Sequence, residues 1–187
     1  MRTLILLCAA VAAVPALELD LRVGYGLRAS STDFTVSGTT DSDNWDSSNR
    51  VTVGAVIQPI PALVGTWLVG ARMAFDFNEI GDTSYRNVAL HLQGGYGFLL
   101  TPLVRLELMP YAGLGFADLD TAGNGSGSAT SVEFGADVVV AVTLPNNFQL
   151  GAGIGYAWST AEPSLDSGSV KIEQSGMVGS LFLGWRL

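Results

Sequence analysis

The 187-residue chain has one cysteine (Cys8), one histidine (His91) and one lysine (Lys171). A lone cysteine closes no disulfide within the chain. With no second histidine or cysteine to cluster with His91, a transition-metal site is not expected, and no cofactor is implied. Basic residues are also few, 9 against 17 acidic, for a formal net charge of −8. A surface so poor in cations does not suit a nucleic-acid partner. Beyond the first sixteen residues no apolar run reaches the ~18 residues that a membrane-spanning helix needs.

Those first sixteen residues, "MRTLILLCAAVAAVPA", have a basic start at Arg2, an apolar run from Leu4 to Val14 and small residues at the end. They predict a secretory signal peptide over residues 1–16, with one domain over residues 17–187. Cys8 falls inside it, very early and after the bulky Leu7, so a lipid anchor is not expected. Loss of Arg2 leaves 8 basic against 17 acidic residues, a net charge of −9.

What the chain has in abundance is alternation. "LELDLRVGYGLRA" (17–29) places Leu17, Leu19, Leu21, Val23, Tyr25 and Leu27 on one face. Asp20, Arg22, Gly24, Gly26 and Arg28 lie on the other. A period of two is that of a β-strand with unlike faces. The pattern recurs over 50–58, 66–78, 87–99, 104–116, 131–144, 148–158 and 176–187. Hydrophobic residues make up 48 % of the chain, and the apolar faces of these eight segments hold roughly fifty of them, too many for the interior of an eight-stranded barrel. An apolar face turned inward would also leave an outer surface of glycine with scattered charge. Turned outward, the apolar face meets lipid, and glycines with a few charges fill a narrow lumen. A tilted strand crosses lipid with about 9–11 residues, and a sheet in lipid tolerates no open edge. The expected fold is therefore all-β, an eight-stranded antiparallel up-and-down transmembrane β-barrel.

The connections alternate in length. "PIPALV" (59–64), "LTP" (100–102) and "PNN" (145–147) are short; 30–49, 79–86, 118–130 and 159–170 are long. Bacterial barrels have short periplasmic turns and long external loops, which puts both termini on the periplasmic side. The third long connection is rich in glycine and serine and is expected to be flexible.

"GGYGF" (94–98), "PYAGLGFA" (110–117), "GAGIGYAW" (151–158) and the terminal "SLFLGWRL" (180–187) resemble segments of small outer-membrane β-barrels of the OmpA/OmpX type. The resemblance implies a bacterial outer-membrane location, with lipid and lipopolysaccharide around the barrel. It also implies recognition of the last strand by the outer-membrane assembly machinery. The usual terminal aromatic is replaced by Leu187. Such barrels serve as surface-interaction or structural proteins, narrow pores, or lipid A-modifying enzymes, so fold does not choose the role. A structural or adhesin-like role through four external loops is expected, with no catalytic residues and an extracellular ligand that the sequence does not name. The alternatives are a low-conductance pore and a lipid A-modifying enzyme.

Two sets of residues are candidates for function. Arg22, Arg72, Asp76, Arg105, Glu107, Glu133, Asp137 and Arg186 have lumen phase. They form either a selectivity filter or a salt-bridged plug. Arg72 and Asp137 are expected to share one network with Arg22 and Glu107. Tyr25, Trp67, Tyr96, Trp158 and Trp185 resemble membrane-interface aromatics. His91 also has lumen phase but lacks the neighbouring serine that a lipid-modifying site pairs with it. "DSDNWD" (41–46) invites a calcium reading, but it lacks the glycine and terminal glutamate of a helix-loop-helix site. Solvated acidic loops account for it equally well.

Overall fold

The computed structural model describes residues 18–36, 38–45, 47–62, 65–123, 125–165 and 168–187. The expected signal peptide lies outside the described residues. The strands are β1 (Glu18–Val36), β2 (Thr39–Asn44), β3 (Ser47–Ala62), β4 (Gly65–Ile80) and β5 (Thr83–Leu99). They continue as β6 (Val104–Thr121), β7 (Gly125–Thr143), β8 (Phe148–Ala161), β9 (Ser164–Leu165) and β10 (Gly168–Arg186). All pairings are antiparallel. The order β1-β3-β4-β5-β6-β7-β8-β10 closes into an eight-stranded ring where β1 pairs with β10. β2 pairs with β1 and β9 with β10 at the end of the barrel away from the termini, here called the distal end. Among the described residues no helix is long and apolar enough to cross a membrane.

The apolar faces point outward. Leu27, Leu92, Leu114, Phe116 and Leu181 are all more than half exposed. The band ends distally at Leu27, Phe77, Val88, Phe116, Val132 and Met177. Beyond it, outward positions turn polar, as at Glu79, Arg86, Asp118, Thr130 and Glu173. Inward positions change in the opposite sense. Near the termini and through the middle they are mostly charged, polar or glycine, with two small apolar groups, Val56–Leu68–Met109 and Tyr111–Ala157–Val178. At the distal end Trp45, Tyr85, Leu119, Val170 and Ile172 form a buried apolar cluster. The barrel thus has an inside-out section and, above it, a section built like a soluble protein.

This change of sense corrects the expected strand ends. The long connections are expected to begin where the outward apolar face stops. In the structure β1 runs on to Val36, β5 starts at Thr83 and β7 at Gly125. The glycine-serine stretch expected to be flexible pairs residue by residue with β6 over Gly125–Thr130. The inward apolar residues bury there, and the ladder continues because the backbone is still best satisfied by its neighbour.

Turn chemistry is local. Gly81 (φ 51°) and Asn147 (φ 65°) take left-handed backbone in tight turns, where glycine and asparagine are tolerated. The expected short turn "PIPALV" is mostly strand. β3 shifts register between Ile57 and Ile60 and pairs with β4 as far as Ala62. Among the described residues β1 pairs with β3 as far as Gln58, and Pro59 and Pro61 lie beyond that pairing. Pro110 stands inside β6, and the β5–β6 pairing lapses at Gly94 and Gly95 opposite Met109 and Pro110.

Candidate functional site

The lumen charges fall into three groups stacked along the barrel axis. At the terminal end, Asp20 on β1 accepts hydrogen bonds from Arg105 (2.6 Å), Arg186 (2.9 Å) and Arg22 (3.2 Å). Glu107 on β6 takes both guanidinium nitrogens of Arg22 at 2.6 Å and the Nε of Arg105 at 2.8 Å. Arg186 also reaches Glu18 at 3.3 Å. The Arg22 guanidinium lies over the Phe182 ring, 4.7 Å from its centroid. β1 and β6 stand four places apart in a ring of eight, so the Arg22–Glu107 pair spans the lumen.

In the middle, Arg72 on β4 donates to Asp137 on β7 at 2.5 Å and to Nδ1 of His91 at 3.3 Å. Its guanidinium lies 4.1 Å from the centroid of the Tyr111 ring. Two small cavities border this pair, of about 70 and 30 Å³. Each holds no more than a few waters.

Above it, Arg50 on β3 is a second cross-brace. One guanidinium serves two carboxylates: Asp76 on β4 at 2.6 and 2.8 Å, and Glu133 on β7 at 2.7 and 2.8 Å. β3 and β7 again stand four places apart. Arg50 and Asp76 are 3 % exposed and Glu133 is fully buried. The Tyr111 hydroxyl donates to Glu133 at 3.2 Å. Paired forks of this kind are the strong form of the ion pair, and burial makes them costly to break. Arg28, also buried, donates instead to the carbonyls of Ala157 and Gln174 and to the Ser159 hydroxyl.

All eight charges singled out from the sequence face the lumen, but they do not form the single network expected of four of them. Arg22 pairs with Glu107 and Arg72 with Asp137, in separate groups, because the Arg22 fork is already filled by Glu107 and Asp20. Asp76 and Glu133 join Arg50. Arg105 and Arg186 join Asp20. The sequence reading passed over Asp20, Arg28 and Arg50 as lumen charges. Phase alone places all three inward; Arg50 stands at the first position of its predicted strand, 50–58.

His91 is fully buried between Arg72, the Tyr111 ring (centroids 4.9 Å apart) and Glu133 (Nε2 to Oε1 3.6 Å). The five aromatics point outward. Trp67 and Tyr96 meet edge to face at the terminal end, where Trp185 meets Phe148. Trp158 lies against Phe134 farther along the band, and the Tyr25 hydroxyl donates to Asn49 at 2.5 Å. In the "DSDNWD" stretch Asp41 and Asp43 accept the backbone N–H of Ser42 and Asn44, and Asp46 lies outside the described residues. Among the described residues no three His, Cys, Asp or Glu side chains are grouped to hold a metal. Trp45, not singled out beforehand, tucks into the lumen between Phe34 and Tyr85.

The profile of the outer membrane protein beta-barrel domain family matches residues 4–185. Solved structures are similar at low identity. The attachment invasion locus protein Ail of Yersinia pestis is 20 % identical, with 91 % of this chain and 98 % of Ail covered, at a TM-score of 0.46. Neisserial surface protein A is 13 % identical, with 90 % and 96 % covered, at 0.52. The outer membrane protease OmpT of Escherichia coli is 6 % identical, with 91 % and 97 % covered, at 0.53. A search of curated protein sequences found no match.

Proposed function

The chain belongs to the outer membrane protein beta-barrel domain family, and from that premise we propose that it is a non-enzymatic surface protein that makes its contacts through the distal end. In this reading residues 1–16 are removed on export, both termini face the periplasm, and the distal end faces away from the cell. Lipid and lipopolysaccharide surround the outward apolar band, and Trp67, Tyr96, Trp185, Tyr25 and Trp158 fix its depth. The alternating Leu181, Leu183, Trp185 and Leu187 offer the last strand to the assembly machinery.

The distribution of charge carries the reading. In the lumen Arg22, Arg28, Arg50, Arg72, Arg105 and Arg186 face Asp20, Asp76, Glu107, Glu133 and Asp137, with Glu18 on Arg186 at the lip. That set sums to zero. Outside it, the described residues carry Asp33, Asp41, Asp43, Glu79, Asp82, Asp118, Asp120, Glu162 and Glu173 against only Arg86 and Lys171. The chain's negative charge therefore sits on the distal rim. Neutralised cross-braces suit a plug, and an uncompensated rim suits encounter with something outside. His91 is fully buried against Arg72, Tyr111 and Glu133, closed to any substrate from lipid or solvent, which supports a role without catalysis.

A cysteine at Ser126 is expected to react with a membrane-impermeant maleimide on intact cells, and one at Asn146 only after lysis. The reverse pattern overturns the orientation and, with it, a distal contact surface.

A further inference from the structure

The distal end holds a hollow that the plug does not use. It measures about 530 Å³ and is lined by Phe34, Val36, Ile80, Leu119, Leu165 and Val170. That volume is within the range of ligand sites, ~300–1,000 Å³. Its floor is firm, because Leu119 and Val170 belong to the buried cluster and Phe34, Ile80 and Leu165 pack against it. Its lip is acidic. Asp41 and Asp43 of β2 line it from the inner face of that strand, since Asp41 pairs with Phe34 and Asp43 with Thr32. Both carboxylates are exposed.

One wall of this hollow is an edge. Among the described residues β2 pairs only with β1, and all six of its residues are exposed. β3 leaves β1 at Asn49 and runs on beside β4, so the ring is not continued between β2 and β4. An exposed edge with unpaired backbone groups is a template for a further strand. An apolar cup, two inward-facing carboxylates and a free edge thus meet at one place, on a rim whose other charges are also mostly negative.

We propose that this cup and the β2 edge bind an extended cationic peptide. It adds to β2 as a strand, seats an apolar side chain in the cup and sets its basic side chains against Asp41 and Asp43. Alternation along a strand suits the arrangement, because every second side chain faces the cup. The inference rests on the surface-protein reading for its biological sense, but binding by the purified barrel does not depend on membrane orientation.

The test is a titration of the full-length refolded barrel, in uncharged detergent, with a labelled six-residue peptide of alternating lysine and leucine. Empty micelles set the background. The peptide is expected to bind, and more weakly as salt is raised. The Asp41→Asn/Asp43→Asn double variant is expected to lose about tenfold in affinity, the size of two exposed charge contacts. Both positions are exposed, and heat-modified gel mobility checks that the variant has closed its barrel. Val36→Ser, an exposed change at the cup wall, is expected to weaken the lysine–leucine peptide and not a lysine–serine one. Alternate backbone N-methylation of the peptide is expected to abolish binding. Four results overturn the proposal: no binding above micelles; equal binding by a glutamate–leucine peptide; equal binding by the double aspartate variant; or equal binding by the methylated peptide. Failure here with Ser126→Cys still labelled on cells sinks the peptide site alone. Reversed labelling sinks the surface reading whatever the titration shows.

Discussion

Arg50 holds two carboxylates with one guanidinium, from opposite walls, at 3 % exposure. Arg72 holds one, beside cavities, at 16 %. The two arginines look alike in sequence, but their removal is expected to differ. Arg50→Met leaves Asp76 and Glu133 buried without the cation that binds them both, which should cost about 3–5 kcal/mol. Arg72→Met leaves Asp137 next to water-sized space and should cost clearly less. Urea unfolding of each variant from lipid vesicles measures both. Equal losses would show that burial in the lumen does not set the cost.

At the level of the strand, the property that decides a substitution is its height on the barrel. Val138 points outward from the apolar band and is exposed. Val138→Arg should destabilise the barrel by about 2–4 kcal/mol if it lies near the bilayer midplane. Thr130 points outward on the same strand beyond the band's distal edge, and Thr130→Arg should cost about 0–1 kcal/mol. Refolding yields across a urea series in vesicles separate the two, and similar losses would place the band wrongly. The same height dependence explains what was legible in the sequence. The ring, its phase and the lumen position of all eight chosen charges follow from period-two alternation, which survives without any contact information. The distal halves of the strands were missed because polarity there changes faces. Asp118 and Asp120 read as loop, while Leu119 between them is a core residue. Trp45 in a polar run was the visible sign that something apolar lay there to receive it. The pairing of charges was not legible at all, because a partner four strands away depends on the stagger of the closed ring.

For the molecule as a whole, a balanced lumen and a one-signed rim predict different responses. The wild-type barrel is expected to show little steady conductance in planar bilayers. In the cycle of Arg72→Met and Asp137→Leu, loss of stability should be strongly coupled, the double change costing less than the sum of the two. Conductance should stay low in every variant, because the Arg50 and Arg22 braces remain. Additive losses with a large rise in conductance at either single site would instead mark the pair as a gate in a pore.

The seam between β1 and β10 runs from Asp20 opposite Arg186 to Val36 opposite Val170, and Arg186 is bound to Asp20 across it. That pairing joins the first strand to the last in order of synthesis. Until β10 arrives, β1 has one bare flank, and Asp20 lacks one of its three arginines. Every earlier hairpin forms from neighbours in the chain, whereas this contact closes the longest loop available and comes late on entropic grounds. The partly built sheet is therefore adhesive along its whole first edge for as long as the final segment is delayed. Closure of the seam, with Arg186 reaching Asp20, is the step that removes that edge.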